Sequence, residues 1–183
     1  MAADLRVIAR QYPAKARTGE STPIVPQMKS VRLGINVASC DGLPSVIIVG
    51  KDQAEVVQLK KKLSGVIWDK ELAGKFIYAS TTNSDDLKNV SGVILKTGIL
   101  VIRPDAYGLK GQIIKAINKD VSRDDLKNIL SHVANTFTRN WKIHRLHVRN
   151  GRQNGKIWET EVPVPNRRRS PNRGGIEVQR PRR

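Results

Sequence analysis

Residues 98–114, GILVIRPDAYGLKGQII, carry the reading that decides the fold class. ILVIR (99–103) is an unbroken apolar run, the kind a strand covered on both faces requires. Pro104, Asp105 and Gly108 supply the chemistry of a tight reversal, and LKGQIIKAI (109–117) returns as a partner strand. The next stretch, VSRDDLKNILSHVANTFTR (121–139), opens with Ser122 and Asp125 in capping-box positions. It then sets Leu126, Ile129, Leu130, Val133 and Phe137 along one face. The pattern predicts a hairpin closed by a helix.

Working outward, VRLGINV (31–37) alternates Val31, Leu33, Ile35 and Val37 with Arg32, Gly34 and Asn36, the period of a half-buried strand. SVIIV (45–49) reads as a central strand. In KDQAEVVQLKKKLSG, Val56, Leu59 and Leu63 recur at helical spacing, with Lys60, Lys61 and Lys62 mostly turned to water. KFIYA (75–79) predicts another strand. NSDDLKNVSG predicts a short helix capped by Asn83 or Ser84 and stopped by Gly92. The core expected from these elements includes Ile48, Ile77, Leu100, Val101, Ile113, Leu126 and Val133.

A chain of 183 residues suits one domain with extensions. Its net charge of +17 attracts polyanions or acidic proteins and is silent about fold. The charge is uneven: residues 139–183 carry 13 basic and 3 acidic side chains, against 20 and 13 before them. Four parts follow from composition. Residues 1–30, with Pro13, Pro23 and Pro26, form a flexible arm, 31–139 the domain, and 140–165 a basic extension that contains aromatics. Residues 166–183 form an arginine-rich tail expected to be disordered. No run of about 18 apolar residues spans a membrane, and the first twenty residues lack the apolar stretch of a leader. With Met1 taken as the natural start, the expectation is a soluble cytoplasmic protein.

The order strand, helix, strand, helix, strand, strand, helix over residues 45–139 resembles the thioredoxin-like family, with 31–37 as an added edge strand. The resemblance rests on SVIIV and its helix, on KFIYASTTNSDDLKNVSGV, and on GILVIRPDAYGLKGQII. It implies an α/β fold, a mixed sheet flanked by helices, here with flexible basic extensions. The family usually carries Cys-x-x-Cys at the start of the first helix, where a depressed thiol pKa makes the nucleophile. It also carries a proline, usually cis, before the third strand. Here the first site reads Lys51, Asp52, Gln53, Ala54, and the second Lys96, Thr97, Gly98. Thiol-disulfide exchange cannot be built from these residues. The resemblance therefore implies a divergent, redox-inactive scaffold used for binding or assembly, since fold does not fix function.

Other candidates are weighed against plainer roles. Cys40 is the only cysteine, and an atypical single-cysteine redox protein using Cys40 is the alternative function. Its place before the first core strand is wrong for the family, and an inert buried or loop thiol explains it more simply. His144 and His147 form an H-x-x-H pair without a neighbouring carboxylate or thiol and beside repelling arginines, so no metal and no cofactor are expected. The pairs Asp85–Asp86 and Asp124–Asp125 fall in helix first turns, where the dipole favours them. The segment 137–169 interleaves Trp141, His144, His147 and Trp158 with Arg139, Lys142, Arg145, Arg149, Arg152 and Lys156, a mix that suits base stacking and phosphate contact. The plainer reading packs Trp141, Ile143, Leu146 and Val148 back on the domain and runs WETEV beside it as a strand. The polyanion-binding candidates are Arg145, Arg149 and Arg152 with Arg167, Arg168, Arg169, Arg173, Arg180, Arg182 and Arg183. The expected partner is a nucleic acid or an acidic protein, contacted mainly through the tail.

Overall fold

The computed structural model describes residues 24–92, 95–138 and 142–156. Its first element corrects the reading of 31–37 as a strand: Val31–Asp41 is a helix, α1. Val31, Ile35 and Ala38 also satisfy a helical period, and all three are buried. The Ser30 hydroxyl accepts the Leu33 amide at 3.1 Å, and Gly42 stops the helix in the left-handed conformation. Two well-formed ends therefore outweigh a seven-residue alternation.

The expected elements follow in order, with a two-residue strand and a C-terminal helix that the sequence reading did not include. They are β1 (Ser45–Val49), α2 (Gln53–Ile67), β2 (Ile77–Thr81), a 3₁₀ turn (Ser84–Leu87), β3 (Val90–Ser91), β4 (Gly98–Pro104), β5 (Gly111–Asn118), α3 (Arg123–Thr136) and α4 (His144–Gln153). All five β1 residues are buried. Strand β2 starts two residues later than KFIYA suggests, and the stretch after Leu87 adds the two-residue β3. Asn83 caps the 3₁₀ turn by accepting the Asp85 amide at 3.0 Å. At α3 the Ser122 hydroxyl accepts the Asp125 amide at 3.1 Å and donates to the Asp125 carboxylate at 2.7 Å. The two residues pair at the helix start as the sequence predicts, with the Asp125 carboxylate bonded to the Ser122 hydroxyl.

The described strands form one mixed sheet in the order β2-β1-β4-β5-β3. β1 and β2 run parallel around α2, β4 is antiparallel to both β1 and β5, and β3 is parallel to β5. Alternate β1 residues feed opposite faces. Val46 and Ile48 join Val56, Leu59, Leu63, Leu126 and Leu130 under α2 and α3. Ile47 and Val49 join Val31, Ile35, Ala79 and Leu100 under α1. Gly34 lets α1 lie close, because a Cβ there would stand 3.1 Å from the Ala79 Cβ. Ile48, Leu100, Val101, Leu126 and Val133 are buried as expected, whereas Ile77 and Ile113 are half-buried.

Two surface features close the fold. The outer edge of β2 is covered by residues 24–28: Met28 donates its amide to the Tyr78 carbonyl at 2.8 Å, and Val25 is buried. Lys62 does not simply face water, since its ammonium donates to the carbonyls of Lys119 and Val121 at 2.6 and 3.0 Å. Among the described residues, no helix is long and apolar enough to cross a membrane.

Candidate polyanion-binding surface

The first turn of α2 is where the resemblance would place redox chemistry. Asp52 accepts the Glu55 amide at 2.8 Å, Glu55 accepts the Lys51 amide at 2.9 Å, and the Lys119 ammonium lies 3.4 Å from the same carboxylate. The Lys51 amide holds the Glu55 carboxyl below its usual range, with help from Lys119. These contacts cap one of the helix's first amides, that of Glu55, and place an ion pair at its end. Cys40 sits elsewhere, neither buried nor in a loop as the sequence suggests but exposed in the last turn of α1, because 31–41 is a helix. That is the negative end of a helix, and the chain holds no second thiol to resolve an intermediate.

Helix α4 is positioned by contacts that reach far along the chain. The Lys142 ammonium enters a small cleft between α1 and the β4–β5 turn, lined by Ala38, Pro104, Asp105 and Phe137. There it donates to the Ser39 carbonyl and hydroxyl at 2.9 and 2.8 Å. The cation thus satisfies a terminal carbonyl of α1 at the end where positive charge is favoured. Burial pushes the Lys142 pKa down, and Asp105 acts in the opposite sense. Ser39 in turn donates to the Asp105 carbonyl at 2.8 Å. The Asp105 carboxylate accepts the amides of Leu109 and Lys110 at 2.8 and 3.1 Å, which shapes the turn itself.

From that turn, Tyr107 stacks on His147 with ring centroids 4.4 Å apart and an interplanar angle of 16°. The same ring lies against Gly151, where a Cβ would come within 2.9 Å of Tyr107 Cε1. His147 and Gly151 are one helical turn apart, so one aromatic ring sets the rotation of α4 about its axis. Arg145, Arg149 and Arg152 lie on the opposite side and are exposed. Their spacing of four and three residues forms one ridge. Residues 142–156 contain five basic side chains, Lys142 to Lys156, and no acidic one.

The structure thus brings together three of the arginines proposed from sequence. Arg139, Arg167, Arg168, Arg169, Arg173, Arg180, Arg182 and Arg183, like Trp141, Trp158 and the WETEV segment, lie outside the described residues. Ile143 and Leu146, read as packing residues in the plainer account, are 71% and 44% exposed instead, because α4 turns its Tyr107-facing side inward. Ser39 and Tyr107 position the surface, and the sequence reading gave neither a role. The only local cue was Asn150-Gly151, a small-residue step inside a basic run. Among the described residues, no three histidine, cysteine or acidic side chains converge as metal ligands. In comparisons with known proteins, no family model, no curated protein and no solved structure matches the chain.

Proposed function

We propose that this chain is a non-catalytic, thioredoxin-like binding or assembly module whose basic C-terminal region contacts a polyanion or an acidic partner. Apart from the added β3 and a 3₁₀ turn in place of the second helix, the element order from β1 to α3, ending in an antiparallel hairpin and a helix, follows the order on which the resemblance rests. The first turn of α2 supports a non-redox role, because Asp52, Glu55 and Lys119 occupy it with structural bonds. The observation that carries the binding role is the ridge of Arg145, Arg149 and Arg152, exposed on a helix that contains no acidic residue. Such a surface raises the local concentration of anionic partners and speeds their encounter.

The test is binding of the full chain to heparin and to nucleic acid across rising salt, beside insulin reduction as a redox assay. The expected result is salt-sensitive binding that Cys40→Ser leaves intact, with no dithiol turnover. Absence of binding to heparin and nucleic acid would overturn this reading, and activity that depends on Cys40 would replace it with the single-thiol alternative.

A further inference from the structure

We propose that the α4 ridge is a nucleic-acid contact: Arg145, Arg149 and Arg152 grip the phosphodiester backbone of a single strand without reading its base sequence. This inference rests on the polyanion reading above and names the partner's chemical class.

The first support is a switch in the kind of positive charge. Residues 24–138 hold 13 lysines and 3 arginines, whereas residues 139–183 hold 2 lysines and 11 arginines. Both side chains confer charge and solubility, so solubility alone would not exchange one for the other. A guanidinium differs in offering a planar fork of donors that matches phosphate oxygens and a flat face that stacks on bases. Anionic lipid surfaces attract lysine and arginine alike. Among the described residues, the exposed large apolar side chains beside the ridge are Ile143 and Leu146, too few for a helix to lie in a bilayer interface. The switch therefore favours nucleic acid over membrane.

The second support is shape. At a rise of about 1.5 Å per residue, the three arginines span roughly 10 Å along the helix axis. They form a linear, convex track, which suits a chain of regularly spaced phosphates. Contacts to phosphates position a strand and carry no sequence information, so the ridge binds without base preference.

The third support is preorganisation. Tyr107 against His147 and Gly151, with Lys142 held by Ser39, fixes the rotation and the start of α4 before any ligand arrives. A ridge already ordered loses less entropy on binding than an arginine on a free chain.

The experiment measures anisotropy of a labelled oligouridylate RNA with the full chain across rising salt. Vesicles containing phosphatidylserine, and heparin, serve as comparison probes. The variant R145Q/R149Q/R152Q is expected to reduce the log-log salt slope by about 2, from roughly 0.7 per lost phosphate contact on a single strand. It is also expected to bind at least about tenfold more weakly at low salt, with an unchanged Tm because the replaced side chains are exposed. The variant R145K/R149K/R152K keeps the charge and is expected to keep the slope while losing affinity several-fold. An RNA-binding wild type whose glutamine variant binds equally well would overturn the inference and leave the polyanion reading standing on the tail. Binding to the vesicles but not to RNA would also overturn it. A wild type that binds neither RNA, vesicles nor heparin would end both readings.

Discussion

The Lys142 ammonium donates to two atoms of Ser39, the carbonyl at 2.9 Å and the hydroxyl at 2.8 Å, across 103 positions of the chain. The Ser39 hydroxyl in turn donates a hydrogen bond to the Asp105 carbonyl, so the end of α1, the β4–β5 turn and the approach to α4 meet at one residue. Removing the cation leaves the Ser39 carbonyl without this partner. Hydrogen bonds to charged groups contribute about 1.5–3 kcal/mol. Lys142→Met, which keeps the stem, is expected to weaken α4 docking by that order. Amide exchange within 144–153 should accelerate by about tenfold or more while the sheet stays protected. Unchanged exchange in α4 would show that Tyr107 alone holds the helix.

Glu55 makes stability depend on acid. Its folded-state pKa lies below the ordinary 4.5, chiefly through the Lys51 amide. A depressed carboxyl contributes stability that is present above pH 4.5 and lost as pH falls through its folded value. Glu55→Gln should therefore lower Tm at neutral pH, and the gap from wild type should narrow as pH drops below 4.5. A gap of constant size would mean that the carboxylate's charge is immaterial.

The Tyr78 hydroxyl is buried and has no hydrogen-bond partner among the described residues. Burial alone pushes its pKa well above the usual range. Tyr78→Phe keeps the ring, which lies 6.3 Å from Phe76, and removes the unsatisfied group. The expected gain is about 1 kcal/mol, seen as a Tm higher by about 2–4 °C. A lower Tm would reveal a partner for that hydroxyl.

Leu63 is fully buried between α2 and the sheet, whereas Leu146 is 44% exposed on α4. Leu63→Ala is expected to cost about 2–5 kcal/mol in denaturant unfolding, from lost burial and the cavity left behind. Leu146→Ala should stay within about 0.5 kcal/mol. Equal effects would place Leu146 in a packed interface.

Most of the sheet is legible in the sequence because its signals are local. SVIIV, ILVIR and the PDAYG reversal specify strands and a turn from residue type alone, and Ser122 with Asp125 specifies the start of α3. Helix α1 is misread because Val31, Leu33, Ile35 and Val37 alternate like a strand, and the caps at Ser30 and Gly42 lie just outside that window. The ridge is harder still. Arg145, Arg149 and Arg152 fall on one face only once α4 is known to be a helix, and its first turn has no side-chain cap to announce it.

The sequence by itself determined the order of elements from β1 to α3 apart from the two-residue β3, the charge excess from residue 139 onward, and the lack of a cysteine pair at α2. Periods, caps and composition depend on neighbours within a few positions, so they can be read along the chain. Only the tertiary structure decided that 31–41 is a helix packed through Gly34 on Ala79, and which side of α4 faces out. Those outcomes depend on Lys142 reaching Ser39 and on Tyr107 stacking against His147. Such contacts form between residues distant in sequence, and no local pattern encodes a partner that folding alone brings near.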